Sequence, residues 1–300
     1  MVTAIWRNFA AAWLRHRLTR KNAGGWVIPG KRNRIEALLR AVSAAPESLL
    51  MLDYDGTLAA FCCDPELAAP YAGVLSLLQA IVDTGRTRLV IISGRDARDV
   101  VPLLEITPRP EIWGLHGLQR LTPDGILDVT PLGTRTLAAL VEARGILRKQ
   151  ELQATAEFKI GSVAVHWRGM EEKQAEALRR RVLTHWHPLA ETSGLHLLEF
   201  DGGVEIRGPE VDKGDAVLTL LREMGPGAPA AYLGDDTTDE HAFEAIEGNG
   251  LSVLVRPQWR KTAADVWLRP PDELRDFLAD WLEACKPSMD DNMSSMMVNK

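Results

Sequence analysis

Two aspartates spaced one residue apart, Asp53 and Asp55, are the side chains in this sequence most suited to chemistry. They follow the apolar run Leu49–Leu52, and Gly56 and Thr57 come directly after them. Such a run is typical of a strand buried on both faces, and open α/β sheets bind ligands at the carboxyl ends of their strands. Two carboxylates there repel each other, and a divalent cation that prefers oxygen ligands, such as Mg²⁺, would relieve the repulsion. The alternative is an ordinary turn after a strand.

A second acidic cluster follows another apolar segment, Ala230–Leu233. Its members are Asp235, Asp236, Asp239 and Glu240. Capping of a helix N-terminus accounts for one or two acids but not for four, and close carboxylates repel unless a cation is present. We therefore predict that Asp235, Asp236 and Asp239 belong to the same Mg²⁺ site as Asp53 and Asp55.

Two further segments carry groups that suit a phosphate. Ser93, Gly94 and Arg95 follow the apolar run Leu89–Ile92, and a hydroxyl beside free backbone N–H groups between a strand and a helix forms a phosphate cradle. Lys213 stands at the start of a predicted helix, where the helix dipole disfavours a positive charge, so we expect it to face an anion. The alternatives are a simple turn at Ser93 and a solvated surface lysine at Lys213.

Apolar runs alternate with helical patterns in the first and last thirds of the chain. The predicted strands are Leu49–Leu52, Leu89–Ile92, Glu111–Gly114, Ala230–Leu233 and Leu251–Val255. The predicted helices are Val74–Asp83, Ala216–Met224 and Asp239–Ile246. This alternation predicts a parallel sheet built from right-handed βαβ units, which would bring the acidic clusters and Ser93 to one edge.

The middle third has the order α-β-β-α-β-β. Helical spacing covers Thr134–Leu152 and Met170–Trp186, and strand patterns cover Ser162–His166, Leu195–Phe200 and Val204–Arg207. The first helix has an apolar stripe made of Leu137, Leu140, Val141, Ala143 and Leu147. We therefore expect an α/β fold, with a Rossmann-like parallel-sheet core and an inserted α+β cap that covers the carboxyl edge of the sheet.

These patterns divide the chain into four predicted parts. Residues 45–132 and 208–287 form the core, and residues 133–207 form the cap. Residues 1–44 form a basic N-terminal extension, and the Met-, Ser- and Asp-rich residues 288–300 form a disordered tail.

Taken in order, the motifs around Asp53, Ser93, Lys213 and Asp235 resemble the four motifs of the haloacid-dehalogenase-like (HAD) phosphatases. Three further segments resemble trehalose-6-phosphate phosphatases within that superfamily: Gly114–Gly117, Glu157–Arg168 and Val204–Arg207. The resemblance covers about residues 50–285 of the chain. It implies the HAD-like core and cap expected from the patterns.

The resemblance also implies a role for each core residue. Asp53 would be the nucleophile that forms an aspartyl phosphate, and Asp55 would be the general acid and base. Ser93 and Lys213 would hold the phosphoryl oxygens. Mg²⁺ would be bound by Asp53, by the backbone carbonyl of Asp55 and by Asp235. Asp239 would support the site, and Asp236 would either bind the ion or support it.

In the cap, the resemblance places Glu157, Lys159 and Glu205 on the hydroxyls of a disaccharide. The residues assigned to the substrate besides these three are Gly94, Arg95, His116 and Arg168. Three alternatives remain at this point. Glu157 and Lys159 would form only an exposed ion pair, His116 would only satisfy a loop, and Arg168 would only brace the cap.

The expected activity is the Mg²⁺-dependent conversion of trehalose 6-phosphate and water to trehalose and phosphate. One alternative is a related phosphatase or phosphomutase for another sugar phosphate. Two alternatives come from other classes: a phospho-accepting receiver domain of a signalling pathway, and an inactive sugar-phosphate sensor. A receiver domain is compact and lacks an inserted cap, and the motif residues needed for turnover speak against a sensor.

The composition and charge of the chain indicate which classes of partner it can bind. The 300 residues are 46% hydrophobic and 25% charged, as in ordinary globular proteins. The net charge is −6, but the first 40 residues carry nine Lys or Arg and one acid. The rest of the chain is therefore at about −14, which argues against nucleic-acid binding there. For the basic N-terminus, where Trp6, Phe9 and Trp13 interleave with the charges, we favour a solvated extension over weak contact with anionic lipid or a partner.

The sequence also bears on location. It contains no run of ~18 apolar residues and no pattern of a secretory signal, so we expect no transmembrane segment. The three cysteines, of which Cys62 and Cys63 are adjacent, form no disulfide framework. We therefore expect a cytoplasmic protein.

Overall fold

The computed structural model describes residues 31–62, 64–200 and 202–286. The strands of the main sheet are β1 (Ser48–Leu52), β2 (Thr87–Ile92), β3 (Glu111–Gly114), β4 (Gln119–Leu121), β5 (Leu127–Val129), β10 (Ala230–Gly234), β11 (Leu251–Val255) and β12 (Val266–Leu268). The strands of a second sheet are β6 (Ala156–Phe158), β7 (Ser162–His166), β8 (His196–Phe200) and β9 (Gly203–Arg207). The helices are α1 (Lys31–Ala44), α2 (Val74–Asp83), α3 (Ala97–Leu104), α4 (Thr134–Lys149), α5 (Glu172–Ser193), α6 (Lys213–Met224), α7 (Glu240–Ala245) and α8 (Asp272–Cys285).

The main sheet has the strand order β12-β11-β10-β1-β2-β3-β4-β5. Neighbouring strands from β12 to β3 are parallel, whereas β4 and β5 are antiparallel additions at one edge. The central strand β1 lies between β2 and β10, and all five of its residues are buried. The carboxyl ends of these three adjacent strands therefore lie side by side.

Helices cover both faces of this sheet. Alternate residues of β1 point to opposite faces, and because all of them are buried, both faces must be covered. Leu50 and Leu52 belong to a core shared with α1, α2, α3 and α8. Leu49 and Met51 belong to a second core shared with α6 and α7. The core is thus a three-layer α/β structure, in agreement with the Rossmann-like parallel-sheet core expected from the sequence.

Helix α1 corrects one sequence-based boundary. The predicted basic extension included residues 31–44, but Leu38, Leu39 and Val42 of α1 are buried in the core. Lys31 also forms an ion pair with Glu273 of α8 at 2.9 Å. The basic side chains near the start of α1 obscure a short apolar stripe in the sequence. Residues 1–30 and the predicted tail lie outside the described residues, as does the hypothesis of lipid or partner contact.

The second sheet has the order β6-β7-β9-β8, is antiparallel, and packs against α4 and α5. The observed order α-β-β-α-β-β is the one predicted for the cap, and the fold class is confirmed. The predicted apolar stripe of α4 is wrong in part, because Leu137 and Val141 are exposed by 46% and 67%. Ala139, which lies between them in sequence, is buried instead.

Among the described helices, none has the length and apolar character needed to cross a membrane. Cys62 and Cys285 are free thiols, and Cys63 lies outside the described residues. Cys285 is buried at the end of α8, where it packs in the core shared with α1 and α2.

Candidate active site

Three adjacent strands place the predicted core residues at one edge of the sheet. Asp53 follows β1, Ser93 follows β2 and Asp235 follows β10, and all three are at most 4% exposed. The amide of Asp53 donates to Leu233 O at 2.8 Å, and the amide of Ser93 donates to Trp113 O at 2.8 Å. These bonds continue the ladders of the sheet and fix the backbone from which the side chains project.

A buried ion network joins Asp53, Lys213 and Asp239. The Nζ atom of Lys213 lies 2.7 Å from Asp53 Oδ1 and 2.7 Å from Asp239 Oδ1. Lys213 is the first residue of α6, and the side chain of Asp212 caps that helix by accepting from the Gly214 and Asp215 amides. Lys213 was expected to face an anion, and in the structure it faces two carboxylates of the site itself.

Three carboxylates, of Asp53, Asp235 and Asp239, each offer an oxygen within 4.8 Å of the others. Burial and the charge of Asp239 raise the pKa of Asp53 to about 7, although Lys213 acts in the opposite direction. Burial and the nearby Asp53 and Asp239 charges raise the pKa of Asp235 well above its usual range. A hard cation would favour the ionised carboxylates, so this donor set fits Mg²⁺.

Asp239 is engaged through both of its carboxylate oxygens. Oδ1 accepts from Lys213 and from the hydroxyl of Tyr232 at 2.5 Å, and Oδ2 accepts from the Asp235 and Asp236 amides at 3.0 Å each. Burial opposes ionisation, but Lys213 and Tyr232 outweigh it and lower the pKa of Asp239. Asp239 thus holds the lysine and the loop in place, while Asp53 and Asp235 are better placed to bind an ion. The sequence analysis missed Tyr232, because an apolar run with one phenol carries no distinct signal.

The carboxylates of Asp55 and Asp236 are not part of the group of three and have partners of their own. Arg95 holds both oxygens of Asp55, with Nε 2.6 Å from Oδ2 and Nη2 2.6 Å from Oδ1. Asp236 accepts from the amide of Thr237 at 2.7 Å and caps the short 3₁₀ turn there. Arg95, expected at the substrate, therefore orients Asp55.

Gly56 is required by the close approach of two strand ends. Its φ is +84°, and a Cβ atom at this position would lie 2.2 Å from Oδ2 of Asp235. Any side chain here would push against the carboxylate that follows β10. The glycine after Asp55 thus allows the two acidic segments to meet.

Two arginines that the sequence analysis missed hold the loop after β10. Arg260 donates from Nη2 to Asp236 O at 2.6 Å and from Nε to Asp235 O at 3.3 Å. Arg256 Nη1 lies 3.4 Å from Asp235 O. No local pattern marks these arginines, since they lie 21 and 25 residues after Asp235.

Cap residues reach this edge of the sheet. Lys159 Nζ donates to Gly94 O at 3.0 Å and lies 3.4 Å from a carboxylate oxygen of Glu157. His166 contacts the same oxygen of Glu157 at 2.9 Å. Burial opposes ionisation of Glu157, but His166 and Lys159 outweigh it and lower its pKa. Glu157 and Lys159 therefore form an ion pair, and Lys159 also contacts the core.

Glu205 and His116 form a buried pair behind Lys159. His116 Nε2 lies 3.1 Å from Glu205 Oε2, and the Ser162 hydroxyl donates to Oε1 at 2.6 Å. Burial lowers the pKa of His116 although Glu205 opposes this. Burial also opposes ionisation of Glu205, but His116, Lys159 and Ser162 outweigh it and hold its pKa well below the usual range. Gly94 allows the His116 ring to approach, because a Cβ atom there would lie 2.7 Å from Cε1.

Arg168, expected at the substrate, packs on an aromatic residue of the core. Its guanidinium carbon lies 4.2 Å from the ring centroid of Phe61. Phe61 belongs to the loop that follows β1, so this cation–π contact joins the cap to the core. The contact agrees with the alternative in which Arg168 braces the cap.

The fold and site define the class of the protein. The parallel sheet, the carboxylates at its strand ends and the inserted cap define a capped α/β fold, and a phosphatase of the HAD superfamily shares this fold. The C-terminal domain of trehalose-6-phosphate phosphatase from C. albicans superposes with a TM-score of 0.71 at 20% identity, covering 89% of this chain and all of that one. A trehalose-6-phosphate phosphatase related protein gives a TM-score of 0.60 at 26% identity, covering 79% of this chain and 97% of that one.

Sequence comparison is more specific. A family model described as trehalose-phosphatase matches residues 51–267, and the chain belongs to this family. A trehalose-phosphate phosphatase from Mycolicibacterium paratuberculosis is 33% identical over 255 residues. The match covers 78% of this chain but only 62% of that relative's length.

Proposed function

We propose that the protein is a Mg²⁺-dependent phosphatase that hydrolyses trehalose 6-phosphate to trehalose and phosphate. The observation that carries this proposal is the hydrogen bond from Lys159 Nζ on the cap to Gly94 O on the core. It brings a polar cap residue against the segment that directly follows Ser93 at the carboxyl edge of the sheet. A phosphorylated sugar would then place its phosphate in the core and its hydroxyls at the cap. Membership of the trehalose-phosphatase family supports the choice of sugar.

In the proposed reaction, a carboxylate oxygen of Asp53 forms a bond to phosphorus while the bond from phosphorus to the sugar oxygen breaks. Asp55 gives a proton to that leaving oxygen. Water then attacks the phosphorus of the aspartyl phosphate, gives a proton to Asp55, and releases phosphate with Asp53 restored. Ser93 and Lys213 would donate to the phosphoryl oxygens, where preplaced donors stabilise developing charge.

Asp53 and Asp235 are the side chains that would hold Mg²⁺, with the backbone carbonyl of Asp55 as a further oxygen. Once bound, the ion would draw charge from the phosphoryl oxygens and offset the repulsion between carboxylates. Asp239 would keep Lys213 and the loop after β10 in place. Asp236 would hold the start of the following 3₁₀ turn.

Glu157, Lys159 and Glu205 would recognise the hydroxyls of the disaccharide. Carboxylates accept from hydroxyls and an ammonium group donates to them, so this trio complements a sugar. His116 would act through Glu205, and Arg168 through its contact with Phe61. A cytoplasmic location completes the proposal, on the ground that so few cysteines form no disulfide framework.

Phosphate release from a panel of sugar phosphates, with and without Mg²⁺, tests the proposal. We expect trehalose 6-phosphate to be hydrolysed faster than sucrose 6-phosphate or mannose phosphates, and only with the ion. Faster release from another sugar phosphate would indicate a related phosphatase. Asp53→Asn should abolish turnover without unfolding the protein, whereas Asp128→Asn, at an exposed position on β5, should keep it. Full activity of the Asp53→Asn variant would overturn the mechanism.

A further inference from the structure

A small cavity of about 20 Å³ lies where the cap joins the core. Its lining includes His116, Arg207 and Glu210. His116 follows β3 of the core, Arg207 ends β9 of the cap, and Glu210 lies in the segment that returns from the cap to α6. The cavity is therefore lined from both layers and from the connection between them.

Each of these three residues has a buried polar atom with no hydrogen-bond partner among the described residues. The atoms are Nε and Nη1 of Arg207, Nδ1 of His116 and Oε2 of Glu210. Arg207 is only 4% exposed, so bulk water does not reach its guanidinium group freely. Buried polar groups are nearly always paired, and several unpaired ones around one cavity indicate a bound polar molecule.

The geometry points to one ordered water molecule that bridges Arg207, His116 and Glu210, and we propose this site as a structural part of substrate recognition. A cavity of about 10–15 Å³ or more holds a water that has two to four polar partners. Arg207 supplies donors, and Glu210 supplies an acceptor. The opposite charges of these two residues match a neutral ligand better than an ion.

The water also explains the orientation of His116. A carboxylate only accepts hydrogen bonds, so the 3.1 Å contact with Glu205 requires a proton on Nε2. In a neutral ring Nδ1 is then an acceptor, and the water can donate to it. The water would accept from Arg207 and donate to His116 and Glu210, which gives it three hydrogen bonds, the number typical of a buried water.

Glu210 also joins the two segments that connect the core and the cap. Its Oε1 accepts from the amide of Gly133 at 3.1 Å and from the Thr136 hydroxyl at 2.5 Å. Gly133 precedes α4 on the way into the cap, whereas Glu210 lies on the way out. Arg207 and Glu210 are therefore positioning residues, which act through His116 to hold Glu205 towards the sugar.

A high-resolution crystal structure of the full chain tests the site directly. We expect an ordered water within hydrogen-bonding distance of Arg207, His116 and Glu210. Density that shows no molecule there, or an ion in its place, would overturn the proposal. This measurement does not depend on the substrate.

Kinetics test the consequence, which rests on the proposed function. Glu210→Gln replaces an acceptor of the water by a donor, so we expect KM for trehalose 6-phosphate to rise about tenfold with kcat little changed. KM for p-nitrophenyl phosphate, which has no sugar, should change much less. Glu142→Gln makes the same change on the exposed face of α4 and should leave both substrates unaffected.

A second pair of variants guards against misfolding. Arg207→Lys keeps one donor and should retain more affinity for trehalose 6-phosphate than Arg207→Met. Equal KM values in the wild type, Glu210→Gln and both Arg207 variants would overturn the positioning role. If the wild type hydrolyses p-nitrophenyl phosphate but not trehalose 6-phosphate, the proposed substrate is wrong, while the crystallographic water remains an independent result.

Discussion

The ammonium group of Lys159 donates a 3.0 Å hydrogen bond to the carbonyl oxygen of Gly94, so a cap side chain touches the core segment that follows Ser93. A second cap–core hydrogen bond runs from the Thr237 hydroxyl to Glu199 O at 3.2 Å. The cap therefore lies against the edge of the sheet where the carboxylates gather. In this arrangement a change in the cap alters the surroundings of the phosphate as well as those of the sugar.

Replacing Lys159 tests this coupling. Lys159→Met removes the three donors of the ammonium group but keeps most of the side-chain volume. We expect kcat/KM for trehalose 6-phosphate to fall about 100-fold, because charged hydrogen bonds to substrate and core are lost together. Hydrolysis of p-nitrophenyl phosphate should fall much less. Lys149→Met, at an exposed position of α4, is the matched control, and equal losses in the two variants would contradict the role of Lys159.

The pair formed by Arg95 and Asp55 leads to a second prediction. Arg95→Gln removes the two hydrogen bonds of 2.6 Å that orient the proposed general acid and base. We expect kcat to fall by about 10- to 100-fold with little change in KM, because a misoriented proton donor affects the transition state most. Steady-state kinetics of Arg95→Gln and of the exposed Arg98→Gln provide the comparison. A rise in KM at constant kcat would instead assign Arg95 to substrate binding.

The core of the site follows from local sequence, whereas its supports do not. Asp53 and Asp235 each follow an apolar run long enough to indicate a buried strand, and parallel strands bring such ends together. Asp55 and Arg95 are separated by 40 positions in the sequence, so no local pattern reveals their pairing. The same holds for Arg260, because only the folding of the chain brings it into contact with the loop after β10.

Short strands and the buried side of a helix are also not predictable from the local sequence. Strand β4 has only three residues, too few for a periodic pattern, and the sequence analysis missed it. The exposure of Val141 was also unpredictable, since an apolar residue next to the buried Leu140 and four residues after Leu137 fits the stripe equally well. Which side of α4 meets the second sheet is decided by packing rather than by composition.

The buried Glu205 predicts loss of stability in acid. Its folded-state pKa is held below the usual value of 4.5, so its ionised form stabilises the fold above that pH and the contribution is lost as pH falls. We expect the free energy of unfolding to drop by roughly 1–3 kcal/mol between about pH 6 and pH 3 through this group. His116 acts in the same direction, because its lowered pKa makes acid favour the unfolded chain.

Denaturant unfolding at several pH values measures this effect. The Glu205→Gln variant should be less stable than the wild type at neutral pH and should lose less stability on acidification. Glu142→Gln, which is exposed, should follow the wild type. If the free energy of unfolding of Glu205→Gln falls with pH as steeply as that of the wild type, other groups cause the acid sensitivity.

Gly56 provides a prediction about metal binding that does not depend on turnover. In a Gly56→Ala variant, the new Cβ atom would lie 2.2 Å from Oδ2 of Asp235, so the carboxylate or the loop must move. We expect Mg²⁺ affinity, measured by calorimetric titration, to fall about 10- to 100-fold, as it does when the support of a metal ligand is disturbed.

Gly85→Ala is the control that separates crowding from backbone strain. Gly85 also has a positive φ, +65°, but a Cβ atom there would have no neighbour within 4 Å. Both substitutions should cost about 1 kcal/mol of folding stability because alanine disfavours this conformation, and Gly56→Ala should cost more because its methyl group is also crowded. Only Gly56→Ala should weaken Mg²⁺ binding, since only its methyl group meets Asp235. Equal Mg²⁺ affinities in the two variants would mean that the position of Asp235 does not control ion binding.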